Sequence, residues 1–239
     1  MVGNIIIAVY LYTLKVKLMN MFKYHDLGRV DYAEALQIQT ESFELLLHAK
    51  QNPESKASCK LYLCEHNPVI TIGKSGKDMN LLVSESTLLK QGIAFYHVNR
   101  GGDITYHGPG QITGYPIFDL ERYGIGLKAY IDRLEQLIID LLAAYGLKGE
   151  RMPGATGVWL DTMDPKRARK LCAIGVKSSR YVTMHGFALN VNTQLDAFKL
   201  INPCGFTDRG VTSIAQELGA SVEIESVKSR IATLFAERF

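Results

Sequence analysis

Four cysteines occur in the 239 residues, and Cys204 stands in a context unlike the other three. It follows Ile201-Asn202-Pro203 and precedes Gly205. Proline before and glycine after read as a turn, which brings a thiol close to a surface or cleft. Cys59, Cys64 and Cys172 fall inside apolar runs that read as strands, where cysteine packs as a small hydrophobe. The turn leaves two readings of Cys204 open, a nucleophile or an ordinary surface thiol. A nucleophile would need a cation beside it, because a free thiol with a pKa of about 8.5 is only a few per cent thiolate at pH 7. Lys170, 34 residues upstream at the head of KLCAIGV, is the candidate, although a lysine at a strand edge is ordinarily solvated surface.

The second chemical feature is RGGDITYHGPGQITGY, residues 100–115, with five glycines, one proline, Arg100 and His107. It reads as too glycine-rich for an ordinary strand or helix. Glycine lets a backbone approach a ligand closely, and arginine and histidine supply a fixed cation and a titratable donor. A tight turn between strands is the plain alternative. Three other patterns fail. Gly73-Lys74-Ser75 resembles the end of a phosphate-binding loop, but the required earlier glycine falls on Pro68. Residues 108–114 spell G-x-G-x-x-x-G and open a strand, not the dinucleotide turn that opens a helix. Cys59, Cys64 and His66 lack a fourth ligand for zinc, so no metal site is expected.

These residues need elements to hold them. Residues 31–50 read as a helix with Asp31 as cap and Glu34 reaching back to it, and with Tyr32, Ala35, Leu36, Gln39, Phe43, Leu46 and Leu47 on one face. Residues 127–145 repeat apolar side chains at helical spacing and stop at Gly146, and residues 223–235 form a closing amphipathic helix. Ser84 or Ser86 caps a short helix ending at Gly92. Strands are expected over 59–64, 69–72, 93–98, 112–119, 157–160, 171–176 and 184–191, with DTMDPKRARK as the charged loop that joins 157–160 to 171–176 and ends at Lys170. Strands outnumber helices and mix with them irregularly, which makes the chain α+β (mixed α/β) rather than a regular βαβ array.

The apolar share of 47% and charged share of 21% are those of a globular protein. A net charge of +3, from 27 basic against 24 acidic residues, is too mild for nucleic acid. It suits an acidic protein partner, with Lys166, Arg167 and Arg169 as candidate contacts. Cysteine spacing gives no disulfide scaffold, so a reduced, cytoplasmic setting is expected. Residues 5–14 are apolar but too short to span a bilayer and carry their lysines on the wrong side for a signal peptide, so no membrane role is expected. Residues 1–20 read as an N-terminal appendage, with Met21 as a second plausible start.

Taken together, the motifs resemble the octanoyltransferases of lipoate biosynthesis, the lipoyl-(acyl carrier protein):protein transferases. Arg100, Gly101, Gly102, Thr105, Tyr106, His107, Gly110, Gln111 and Tyr115 fill that family's R-G-G-x-x-T-[aromatic]-H-x-x-G-Q pattern and the aromatic after it. Lys170 to Val176 match its lysine strand, His185 to Asn190 its H-G-x-A-L-N strand, Gly210 to Ser213 its G-V-T-S segment, and Glu65 to Gly73 its E-H-x-P-V segment. The resemblance covers about residues 21–220.

It implies the catalytic domain of a biotin/lipoate protein ligase-like fold over residues 21–239, a mixed sheet flanked by helices. It implies transfer of an octanoyl group from octanoyl-acyl carrier protein to a lysine of lipoyl domains, those of 2-oxoacid dehydrogenases and the glycine cleavage H protein, with no cofactor. Carried over, Cys204 is the acyl-accepting nucleophile and Lys170 its activator. Arg100, Gly101, Gly102, Asp103, Ile104, Thr105, Tyr106, His107, Ala173, Ile174, Gly175, Gly186, Phe187 and Ala188 line the substrate site. The rivals are an ATP-dependent lipoate-protein ligase on the same fold, which needs no cysteine nucleophile, and a non-catalytic lipoyl-domain binding module, which has no use for the Lys170/Cys204 pair.

Overall fold

The computed structural model describes residues 21–52, 54–202 and 210–239. The expected appendage, residues 1–20, and Cys204 lie outside the described residues. Among those described, the strands form two sheets. The larger contains β1 (Phe22–Val30), β2 (Cys59–His66), β6 (Gln111–Ile117), β10 (Val182–Asn190), β9 (Arg169–Ser179), β8 (Ala155–Leu160) and β7 (Glu150–Met152) in that spatial order, with the short β11 (Gly210–Val211) paired to β9. β1 runs parallel to β2 and β11 parallel to β9; the other neighbours are antiparallel. The smaller sheet is β4 (Ala94–His97), β3 (Val69–Ile72) and β5 (Ile104–His107).

The sheet is mixed and flanked by helices, as the strand-rich irregular pattern implies. α1 (Tyr32–Gln51) packs against β10 and β6, and α3 (Leu127–Ala143) packs against α5 (Ile224–Arg238) and β8. α2 (Glu85–Lys90) and α4 (Ile214–Leu218) are short. α3 buries Tyr130, Leu134, Leu137, Ile138, Leu141 and Leu142 at helical spacing, and Gly146 follows at φ 72°, a conformation that favours glycine. Ser84, not Ser86, caps α2, accepting the Thr87 amide at 3.3 Å. Asp31 holds the N-cap position of α1 without capping it. Its carboxylate instead accepts from Asn67 Nδ2 at 2.6 Å, so the expected capping box is replaced by a tie to the β2–β3 turn. A strand also runs through the glycine run, β5, which contradicts the reading of that run as unsuited to regular structure. Ile104 to His107 lie between its glycines and pair residue by residue with β3.

No helix among the described residues is long and apolar enough to cross a membrane.

Candidate active site

Lys170 owes its direction to an irregularity in β9. Gly157 pairs with Ala173 and Val158 with Cys172, but Trp159 pairs with Lys170, so Leu171 is an extra residue on β9. Side chains alternate across a strand, and a bulge resets the alternation. Without the slip Lys170 would face away from Ala173. With it, Lys170 shares the face of Ala173 and Gly157, and its ammonium lies 4.6 Å from the centre of the buried Trp159 ring. Glu135 of α3 secures the neighbouring strand, accepting the Gly157 amide at 2.9 Å and Arg151 Nε at 3.1 Å.

Lys170 lines a cavity of about 490 Å³. One wall is made of small residues on adjacent strands, Ala173 and Gly175 of β9 opposite Ala188 and Gly186 of β10. The Arg100–Gly102 loop closes over this wall, with the Gly101 amide donating to Val176 O at 2.9 Å. A methyl group on Gly175 would come within 2.6 Å of Gly101 O, so that contact requires glycine. Leu127 and Ile131 of α3, with Ile174, Val176 and Phe198, add apolar surface.

Arg100 is buried. Its Nη2 donates to Thr71 O and Thr71 Oγ1, both at 2.8 Å, and its Nη1 to Gly101 O at 3.0 Å. The arginine thereby ties the glycine loop to β3 while leaving its charge in the cavity wall. Asp103 tethers as well, accepting Asn80 Nδ2 at 2.7 Å and the Ile104 amide at 2.6 Å.

The remaining wall is polar. Gln111 Nε2 donates to Tyr106 O and Asn190 Oδ1, so its Oε1 accepts from His107 Nδ1–H at 2.7 Å. His107 therefore carries a hydrogen on Nδ1. Burial, then the neighbouring His66 and Arg100, hold its pKa down at about 3. His185, buried at φ 60°, is lowered to about 3 by burial and by Arg100 and Lys177. His66 donates from Nδ1 to Val30 O at 2.9 Å and accepts from the Tyr115 hydroxyl at 2.7 Å. None of these imidazoles is set to take a proton at neutral pH.

Of the fourteen expected substrate residues and Lys170, all but Tyr106 line the cavity. Tyr106 turns into the smaller core, ring to ring with Phe198 at 5.6 Å, because alternation along β5 sends it the other way from His107. The Phe187 ring stacks on Phe235 of α5 at 6.1 Å, away from Gly186 and Ala188, so Phe187 serves the core more than the cavity. The cavity also takes Tyr32, Gln111, Thr113, Tyr115, Asn190 and His185. Period-two spacing of Gln111, Thr113 and Tyr115 was the available signal for three of them. Of the loop basics, Arg169 is engaged by Asp161 and Glu217, whereas Arg167 reaches Asp161 but stays exposed, and Lys166 is exposed.

Residues 31–236 match the family model of the lipoyl protein ligase A/B catalytic domain. An octanoyltransferase from Parabacteroides distasonis is 64% identical over 221 residues, 92% of this chain and all of that protein. The chain belongs to the octanoyltransferase family. Another octanoyltransferase, from Porphyromonas gingivalis, is 59% identical over 91% of the chain, which spans 44% of that longer relative. Outside the octanoyltransferases, the fold recurs in a bi-partite lipoate protein ligase from Thermoplasma acidophilum, with a TM-score of 0.67 at 15% identity, over 90% of this chain and 82% of that one.

Proposed function

We propose that residues 21–239 form a cytoplasmic octanoyltransferase that moves an octanoyl group from octanoyl-acyl carrier protein to a lysine of a lipoyl domain, through a thioester on Cys204. The observation that carries this reading is Lys170, turned by the β9 slip into a cavity walled by small residues. Burying the seven carbons beyond the carbonyl would contribute about 6 kcal/mol at about 0.8 kcal/mol per methylene. Three of the four thiols are unsuited to attack. Cys59, Cys64 and Cys172 are buried, and desolvation pushes each pKa up. Cys204 remains.

In the first half-reaction the Cys204 thiolate attacks the donor's thioester carbonyl. The carrier's C–S bond breaks and its thiolate leaves with a proton from the Lys170 ammonium. In the second half-reaction the lipoyl-domain amine attacks the Cys204 thioester and gives its proton to the now neutral Lys170. An amide forms and the Cys204 thiolate is released beside a recharged ammonium. Backbone N–H groups of the glycine-rich strands stabilise the developing oxyanions. The donor is already activated, so no ATP is required. The 64% identity to an octanoyltransferase, against 15% to a lipoate ligase, favours this reading over adenylate chemistry.

Intact mass spectrometry tests it. Octanoyl-acyl carrier protein without ATP should add one octanoyl group to the protein, peptide mapping should find it on Cys204, and an apo lipoyl domain should remove it. Labelling that requires ATP and octanoic acid, or that persists in Cys204→Ser, would refute the proposal.

A further inference from the structure

The slip that aims Lys170 weakens the ladder where it occurs, since a bulge leaves a residue unpaired. Its support lies one residue away. Arg169 donates from Nε and Nη2 to the two oxygens of Glu217, both at 2.6 Å, and from Nη1 to Asp161. Glu217 Oε1 also accepts from Thr212 Oγ1 at 2.5 Å. The amide of Thr212, wholly buried, donates to the carbonyl oxygen of Lys170 at 3.0 Å. Asn190 Nδ2 holds Thr212 O at 3.0 Å, and Asn190 Oδ1 leads back through Gln111 to His107. One carboxylate on α4 therefore grips β9 through Arg169 and the end of β11 through Thr212, on either side of the Lys170 backbone. The pair is largely withdrawn from solvent, with 25% of the Arg169 and 13% of the Glu217 side chain exposed, so its geometry is not lost to screening as a surface pair's would be. Arg169 holds the Glu217 carboxyl below the usual range, so the grip persists across neutral pH.

We propose that Glu217 is a positioning residue for Lys170: by bonding Arg169 and Thr212 at once it fixes the slipped register of β9 and so the direction of the Lys170 ammonium. The catalytic consequence rests on the reading of Lys170 as the working cation. The geometric consequence does not, because Trp159 is the only tryptophan in the chain and lies under that ammonium.

The test compares Lys170→Met, Glu217→Gln, Glu217→Ala and Glu217→Asp by tryptophan emission and by steady-state transfer from octanoyl-acyl carrier protein. Lys170→Met gives the emission of Trp159 without its cation. Glu217→Ala should move emission in the same direction, and should add nothing in the Lys170→Met background, because coupled changes are not additive. Its kcat should fall about 10- to 100-fold, the scale of a misplacement of about 1 Å, with the donor KM held within about twofold. Glu217→Asp, which keeps the charge, should recover part of the loss. If Glu217→Ala does not fold, Glu217→Gln decides by the same two readouts. Unchanged emission in the Glu217 variants, with or without a fall in kcat, overturns the inference. An active Lys170→Met enzyme overturns instead the reading of Lys170.

Discussion

A lysine acts on a thiol through charge. An ammonium near Cys204 favours the thiolate, and a fall of about two pKa units would take the thiolate at pH 7 from a few per cent to a majority. Lys170→Met should therefore raise the pH midpoint of Cys204 alkylation by iodoacetamide, slow acyl-enzyme formation most at low pH, and let it recover partly as pH rises. Cys59, Cys64 and Cys172 are buried with raised pKa values and should stay unlabelled in the folded protein, so Cys204→Ser supplies the blank. The same midpoint with and without the lysine would remove it as activator. The composition around Cys204 and the resemblance of its segment single out the pair. The aim of Lys170 is illegible in the sequence, because a register slip exists only relative to the partner strand. KLCAIGV reads as a plain strand, and only the pairing of Trp159 with Lys170 reveals Leu171 as the extra residue.

At the scale of elements, the glycines matter where two backbones touch. The Gly101 amide is bonded to Val176 O, and Gly175 lies beneath Gly101 O with room for no Cβ. Gly175→Ala should push the Arg100–Gly102 loop off β9. A misfit of this kind costs about 1–3 kcal/mol, and in a protein this long each kcal/mol lowers Tm by about 2–4 °C. The donor KM should rise, because the displaced loop forms a cavity wall; a melt and a saturation curve check both. Gly219→Ala, a cap with open space around it, should show only the cost of φ 71° and leave KM alone. The long helices were legible because α3 and α5 must bury one face and so repeat with the helical period. β1 was not, since its burial alternates irregularly and its register to β2 shifts between Asp26 and Arg29. β5 was hidden because the glycines around it advertise a turn while its own four residues, ITYH, are good strand formers.

Across the whole molecule, the site is held by a buried polar centre, and that has a consequence for acid stability. His107 and His185 are neutral in the folded protein, with pKa values held down at about 3, chiefly by burial. An unfolded histidine titrates near 6.5. Between those values the unfolded chain binds protons that the folded chain refuses, so stability is lost as pH falls below about 6.5 and continues to be lost toward about 3. At pH 5 each imidazole would cost about 2 kcal/mol relative to pH 8, and His66, lowered in the same direction, adds to the slope. Denaturant unfolding at pH 8 and pH 5 measures the difference. His107→Asn retains a donor for Gln111, and His185→Asn suits the left-handed backbone at φ 60°. Each should shrink the pH 8 to pH 5 difference by about 2 kcal/mol, and together by about 4 kcal/mol, whatever each does to stability at pH 8. A slope indifferent to both substitutions would mean that the two imidazoles titrate alike in the folded and unfolded chain. In that case the polar wall of the cavity would be open to water rather than sealed by the Arg100–Gly102 loop and α1.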